Sequence, residues 1–190
     1  MARKKTITRD QILDAAYNVV AKSGFTRFTA RNIAAEMNCS TQPIYLEFKN
    51  MEDLKNEVIK KIRSYIKTKI YPVVRTGDRP TDLALNYINF ARDEKSLYRA
   101  LYLEEYGGGK DVQVDAYNYF YTEMRNEPQF VDVSDEVFHS LHTSIWIEAT
   151  GIASLMSSGI INPSEEQIIQ LINISIETVL KRENPVVIDY

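Results

Sequence analysis

The stretch from Phe28 to Leu54, FTARNIAAEMNCSTQPIYLEFKNMEDL, constrains the fold of this chain more than any other. It reads as two short helices, a tight turn between them and the start of a third helix. Thr29 is placed to cap the first, with Phe28 packing on Ile33 as a hydrophobic staple. Ile33, Ala34 and Met37 form the apolar stripe of a helix of about two turns. Asn38, the non-glycine residue that best tolerates a left-handed conformation, comes next. Ser40 can cap the second helix, with Cys39 and Ile44 as its staple. Pro43 falls in that helix's first turn, where a missing N–H costs nothing. Two helices joined by so short a turn make either an ordinary helical hairpin with a polar outer face or a helix-turn-helix. In a helix-turn-helix the first turn of the second helix faces the major groove. Thr41, Gln42 and Tyr45 occupy those positions, and all can hydrogen-bond to phosphates or base edges.

Charge separates the two cases. Residues 1–75 hold 15 Lys and Arg against 7 Asp and Glu, a net of +8, while residues 76–190 hold 8 against 19, a net of −11. One end suits a polyanion and the other repels it. Arg3, Lys4 and Lys5 precede any helical pattern; as a basic arm they either follow a nucleic-acid backbone or are simply solvated. No apolar run approaches the roughly 20 residues that span a bilayer, and no apolar core follows the basic amino terminus, so neither membrane insertion nor secretion is expected. The single cysteine fits a reducing, cytoplasmic setting, and the absence of Cys/His clusters argues against a structural zinc site. No metal or cofactor is expected.

With those residues in view, the pattern from Ile33-Ala34 through Ser40 to Tyr45-x-x-Phe48, followed by Glu52-Asp53-Leu54, resembles the DNA-binding domain of the TetR family of bacterial repressors. The resemblance covers roughly positions 8 to 55. It implies an all-α, dimeric protein. Three amino-terminal helices would bind DNA, and a larger carboxy-terminal helical domain would bind a small molecule and carry the dimer contact. There are departures: Asn38 stands where the family usually has Gly, Cys39 where it has a small apolar residue, and Met51 where it has a phosphate-holding Lys. Lys49 or Lys55 is the candidate substitute. The DNA-binding candidates are therefore Thr29, Arg31, Ser40, Thr41, Gln42, Pro43, Tyr45, Lys49 and Lys55.

The other helices follow from periodicity and caps. Thr8 and Gln11 form a capping box, with Ile7 and Ile12 as its staple, and Gly24 ends the helix they open. Asn50 caps a long helix from Met51 to about Tyr71, striped by Leu54, Val58, Ile62, Tyr65, Ile66 and Ile70. In the resembled family this helix transmits ligand state to the DNA-binding heads. Pro72 and the segment Arg75 to Pro80 mark the main break. The expected domains are 1–50, whose linking helix continues to about 71, and 51–190. Thr81 is expected to open a helix, Lys95 to Tyr106 another, and residues 111–126 a third. Gly107-Gly108-Gly109 lacks the Lys and Ser/Thr of a phosphate-binding loop and reads as a loop.

Aromatic residues crowd this middle region. They are either core or, in part, the wall of an effector cavity with phenol hydroxyls to orient a bound molecule. Tyr87, Phe90, Tyr98, Tyr102, His142 and Trp146 are the ligand-binding candidates. Ser134 caps a helix running to about Ser158, and Ser164 with Gln167 makes a capping box for the last helix. That helix is apolar on two faces, so one face meets its own domain and the other either a symmetry mate or the interior of a monomer. A homodimer through the final two long helices is expected.

Three functions fit unequally. A ligand-responsive repressor would bind a palindromic double-stranded operator as a homodimer and be released by a small-molecule effector. An enzyme would have only His139, His142 and the distant Cys39 to work with. The two histidines are three apart on one helix, a spacing that supports metal binding, but no zinc-protease carboxylate pattern accompanies them. A nonspecific DNA-binding protein would be ill served by the acidic carboxy-terminal half.

Overall fold

In the computed structural model of the chain, the described residues are 7–104, 109–182 and 185–188. Every secondary-structure element among them is helical, so the chain is all-α. Two compact units are formed. One comprises Met1–Tyr65 with Glu94–Gly109, the other Ile66–Asp93 with Lys110–Tyr190. By packing, each unit thus combines two separate stretches of the chain.

In the first unit α1 (Arg9–Ser23) is the central element, packing on α2 (Ala30–Glu36), α3 (Gln42–Glu47), α4 (Met51–Tyr65) and α6 (Lys95–Tyr98). Its buried stripe of Ile12, Ala15, Ala16, Val19 and Val20 keeps helical spacing. The Thr8–Gln11 capping box is present, and Gly24, with φ of 68°, ends the helix by donating to the Val20 carbonyl. A short 3₁₀ turn, Phe25–Arg27, leads to α2. Asn50 caps α4: its Oδ1 accepts from the Asp53 N–H at 2.8 Å, and Asp53 in return accepts from the Lys49 N–H at 3.1 Å. The long helix expected to reach Tyr71 is α-helical only to Tyr65. Residues Ile66–Ile70 form a π-helical turn with Lys67, Thr68 and Lys69 exposed. The helix expected over Lys95 to Tyr106 changes in the same way, with α6 ending at Tyr98 and a π-helical turn spanning Arg99–Leu103. Periodicity fixes which face is buried but not the extra residue that widens a turn.

In the second unit α5 (Arg79–Asp93) packs on α8 (Asp135–Ser157) and α9 (Glu165–Leu180), which also pack on each other. Every residue of α5 from Pro80 to Ala91 is buried. The helix starts at Arg79 rather than Thr81, because Asp78 is the capping side chain: its carboxylate accepts from the Thr81 N–H at 3.1 Å. Buried polar residues on α5 hold the preceding loop, as Asn86 donates to the Val73 carbonyl at 2.7 Å and accepts from the Arg75 guanidinium at 2.7 Å. α7 spans Gly109–Met124, starting two residues before the expected segment. Its Phe120 meets Phe138 of α8 at a ring distance of 4.8 Å. Ser134 and the Ser164–Gln167 capping box start α8 and α9 as expected. No helix among the described residues is long and apolar enough to cross a membrane. The basic arm of Arg3, Lys4 and Lys5 and the glycines 107 and 108 lie outside the described residues.

Candidate nucleic-acid interface

Two helices and a five-residue connection build the outward face. Thr29 caps α2, its hydroxyl accepting from the Asn32 N–H at 3.2 Å. The Asn32 side chain donates to the Arg27 carbonyl at 2.8 Å, which holds the segment before the helix. Ile33 and Ala34 anchor α2 in the core. The turn pivots on Asn38, at φ of 50° the one non-glycine residue with positive φ among the described residues. Asparagine tolerates this geometry because its short side chain bonds locally. The Cys39 N–H closes the turn on the Ala34 carbonyl at 3.0 Å.

Ser40 does not cap α3. Thr41 takes the cap position without a side-chain bond. The reason lies in the first turn. Pro43 has no N–H, and the Ile44 N–H donates to the Thr41 carbonyl at 3.1 Å, so the two amides a capping hydroxyl serves are already accounted for. The Ser40 side chain stays exposed, and its carbonyl accepts from the Cys39 thiol at 3.1 Å.

α3 is held by Ile44 and Phe48, which are buried and four residues apart. That fixes which side chains point away. Gln42 is exposed, Tyr45 is 56% exposed and Leu46 75% exposed, while Thr41 and Pro43 are half-buried. Arg27, Arg31, Thr29 and Lys49 are exposed on the flanking segments. Phe48 is further held by the Arg9 guanidinium, 4.6 Å over its ring. Two bases on α1 are engaged: Lys22 pairs with Glu36 at 2.6 Å, and Arg9 with Glu57 at 3.4 Å. Glu57 is held below the usual carboxylate range, chiefly by its hydrogen bond to Lys60.

Lys49 and Lys55, the two candidate substitutes for a cation at Met51, are placed differently. Lys49 is exposed directly after α3. Lys55 is half-buried, with its ammonium 5.1 Å over the Phe25 ring, in a cleft of about 320 Å³ that also includes Met51, Phe28 and Glu104. A second cleft, of about 480 Å³, lies beside the turn and is lined by Ile7, Gln11, Met37, Asn38 and Cys39. Leu46 is absent from the sequence-derived set; its position opposite Ile44 on a helical projection is the signal that identifies it.

The six ligand candidates are divided between the units. Tyr98 and Tyr102 belong to the first, with their rings 5.4 Å apart and Tyr98 buried. Tyr87, Phe90, His142 and Trp146 lie on α5 and α8 of the second. The Tyr87 hydroxyl accepts from Thr150 at 3.2 Å. His142 is buried against the rings of Tyr117 and Phe120, at 5.2 and 5.1 Å. Gln113 on α7 is a buried polar residue that the sequence did not single out. Among the described residues, no three His, Cys, Asp or Glu side chains stand close enough to hold a metal ion.

Comparison with known proteins bears on the first unit most directly. Residues 12–58 match the family model for bacterial regulatory proteins of the tetR family. No curated protein sequence matches the chain. Among solved structures, the regulator FadR from Bacillus subtilis in complex with stearoyl-CoA is 16% identical, with a TM-score of 0.61 over 92% of this chain and 98% of that one. A protein described as a TetR-family transcriptional regulator from Vibrio parahaemolyticus is 20% identical, with a TM-score of 0.61 over 90% of this chain and 97% of that one. The fatty acid degradation regulator FadR from Bacillus halodurans is 17% identical, with a TM-score of 0.58 over 97% and 100%. At these identities the likeness is one of fold.

Proposed function

We propose that this chain, whose residues 12–58 match the family model for bacterial regulatory proteins of the tetR family, is a cytoplasmic repressor. It binds a palindromic operator as a homodimer and is released by a small-molecule effector. The observation that carries the DNA-binding part is the division of α3: Ile44 and Phe48 are locked into the core while Gln42 and Tyr45 are presented outward between exposed Arg27, Arg31 and Lys49. Phosphate contacts from Thr29, Arg31, Ser40 and Lys49 supply affinity, with Lys55 the alternative cation. Thr41, Gln42, Pro43 and Tyr45 face the groove and supply specificity.

The dimer is supported by the apolar residues left exposed on the last two long helices: Ile147 and Leu155 on α8, Leu171 and Ile174 on α9. Paired with a symmetry mate, these helices form a four-helix bundle and bury that surface. Two heads would then address half-sites one helical turn, about 34–36 Å, or a multiple of it apart. The effector is proposed to contact Tyr87, Phe90, His142 and Trp146 of the second unit. Effector binding would favour a dimer whose heads no longer match the operator spacing. Because the Bacillus subtilis neighbour is in complex with stearoyl-CoA, an acyl-CoA is the first molecule to try.

The test is selection of duplexes from a random pool by the purified protein, followed by gel-shift titration of the winner. A palindromic winner bound by dimers is expected, with Tyr45→Phe and Thr41→Ala weakening the complex while sedimentation still shows a dimer. Unchanged affinity in both variants, or a monomer in solution, would sink the proposal.

A further inference from the structure

α3 presents one ridge directly opposite its buried face. Ile44 and Phe48, four residues apart, point inward; Gln42 and Leu46, also four apart, share the opposite ridge. Leu46 is 75% exposed, the most exposed of the large hydrophobic residues described. A lone exposed leucine is ordinary on a protein surface. Here it shares a six-residue helix with the exposed ring of Tyr45, and Arg27, Arg31 and Lys49 on the neighbouring segments are exposed as well. Those cations match a polyanion and not an apolar protein partner. A base-pair edge offers a leucine one apolar group in the major groove, the thymine 5-methyl, and offers a glutamine the adenine N6 and N7 edge.

We propose that Leu46 is a specificity-determining residue that packs on a thymine 5-methyl, while Gln42 on the same ridge pairs with an adenine, so that this ridge selects A·T pairs in each half-site. The inference rests on the reading of this surface as a DNA interface.

The experiment takes the best selected duplex and replaces each thymine in turn with deoxyuridine, which removes only the 5-methyl group. Dissociation constants are measured for the wild type and Leu46→Ala by fluorescence anisotropy. At one thymine per half-site, the replacement is expected to weaken the wild type about fourfold, the value of one buried methyl-sized group. The same replacement is expected to leave Leu46→Ala unchanged. The proposal is overturned if every deoxyuridine duplex binds the wild type equally, or if the loss is the same in both proteins. It is also overturned if Leu46→Ala binds all duplexes like the wild type and differs only in self-association. A wild type that selects no duplex over random DNA removes the DNA-interface reading itself, an outcome distinct from a wild type that selects DNA but ignores the methyl.

Discussion

The Tyr65 hydroxyl donates to Glu94 at 2.5 Å. Tyr65 is the last residue of α4 before the π-helical turn, and Glu94 immediately precedes α6. One hydrogen bond therefore joins two places where the chain passes between compact units. The bond, then burial, then the charge of Glu94 push the Tyr65 phenol up to about 12. Tyr65→Phe removes the donor and is expected to lower stability by about 1.5 kcal/mol, as for a hydrogen bond to a charged group. The phenol's ionisation is raised in the folded state, so its contribution is full below pH 10 and declines as pH rises toward 12. Urea melts across that range should show the gap between wild type and variant closing. A constant gap would separate the bond from the phenol's ionisation.

A second pH dependence lies in the acid range. His142 is 3% exposed; burial first and the neighbouring His139 second push it down from 6.5 to about 3. Between those values the unfolded chain takes up a proton that the folded chain refuses. Stability is therefore full above pH 6.5 and falls as pH drops toward 3, by at most about 1.4 kcal/mol per pH unit. His142→Leu is expected to flatten the slope of unfolding free energy between pH 6.5 and 4.5. An unchanged slope would assign the acid sensitivity to other groups.

The parts of the fold that were legible in the sequence are those set by local chemistry. Thr8–Gln11, Asn50, Ser134 and Ser164–Gln167 each start a helix where a capping side chain meets an apolar period. Asn38 took the left-handed turn because few other residues do. Ser40 misled because capping propensity ignores what the first turn has to offer: Pro43 had already removed one amide. The π-helical turns at Ile66–Ile70 and Arg99–Leu103 keep the apolar spacing of the helices they extend, so periodicity alone does not reveal them. The same holds for the assignment of Tyr98 and Tyr102 to the unit that carries α3. At the candidate interface, the polar residues of α3 were visible as hydrogen-bonding types. Leu46 was not, because a leucine reads as core until Ile44 and Phe48 are known to fill that role.

The loop before α5 is tied down by one buried carboxylate. Asp82 accepts from the Thr76 N–H at 2.6 Å and hydroxyl at 2.8 Å, and from the Gly77 N–H at 3.3 Å. Burial pushes its carboxyl up, but these donors together more than offset that and hold it below its usual 3.8. Stability from this group is present above pH 3.8 and lost as pH falls below it. Asp82→Ala is expected to cost about 2 kcal/mol, since three donors lose their charged acceptor, and to speed proteolysis in the Val73–Asp78 segment. A variant that melts like the wild type with no new cleavage would show that the loop is held by Asn86 and Arg75 alone.

Gln113 makes the opposite kind of prediction. It is 3% exposed on α7, one turn before Tyr117, and among the described residues neither end of its amide has a hydrogen-bond partner. A buried amide without partners costs about 1–3 kcal/mol relative to a paired one. Leucine has nearly the same volume and nothing to satisfy, so Gln113→Leu is expected to raise stability by about 1–2 kcal/mol. For a domain of this size that is an upward shift of roughly 2–8 °C in Tm. Gln113→Ala separates the polar effect from packing: it removes the same amide but leaves a cavity, and is expected to gain less than leucine or to lose outright. Differential scanning calorimetry of the two variants orders them directly. Should leucine melt below alanine, the amide is satisfied in solution and its burial stabilises the fold.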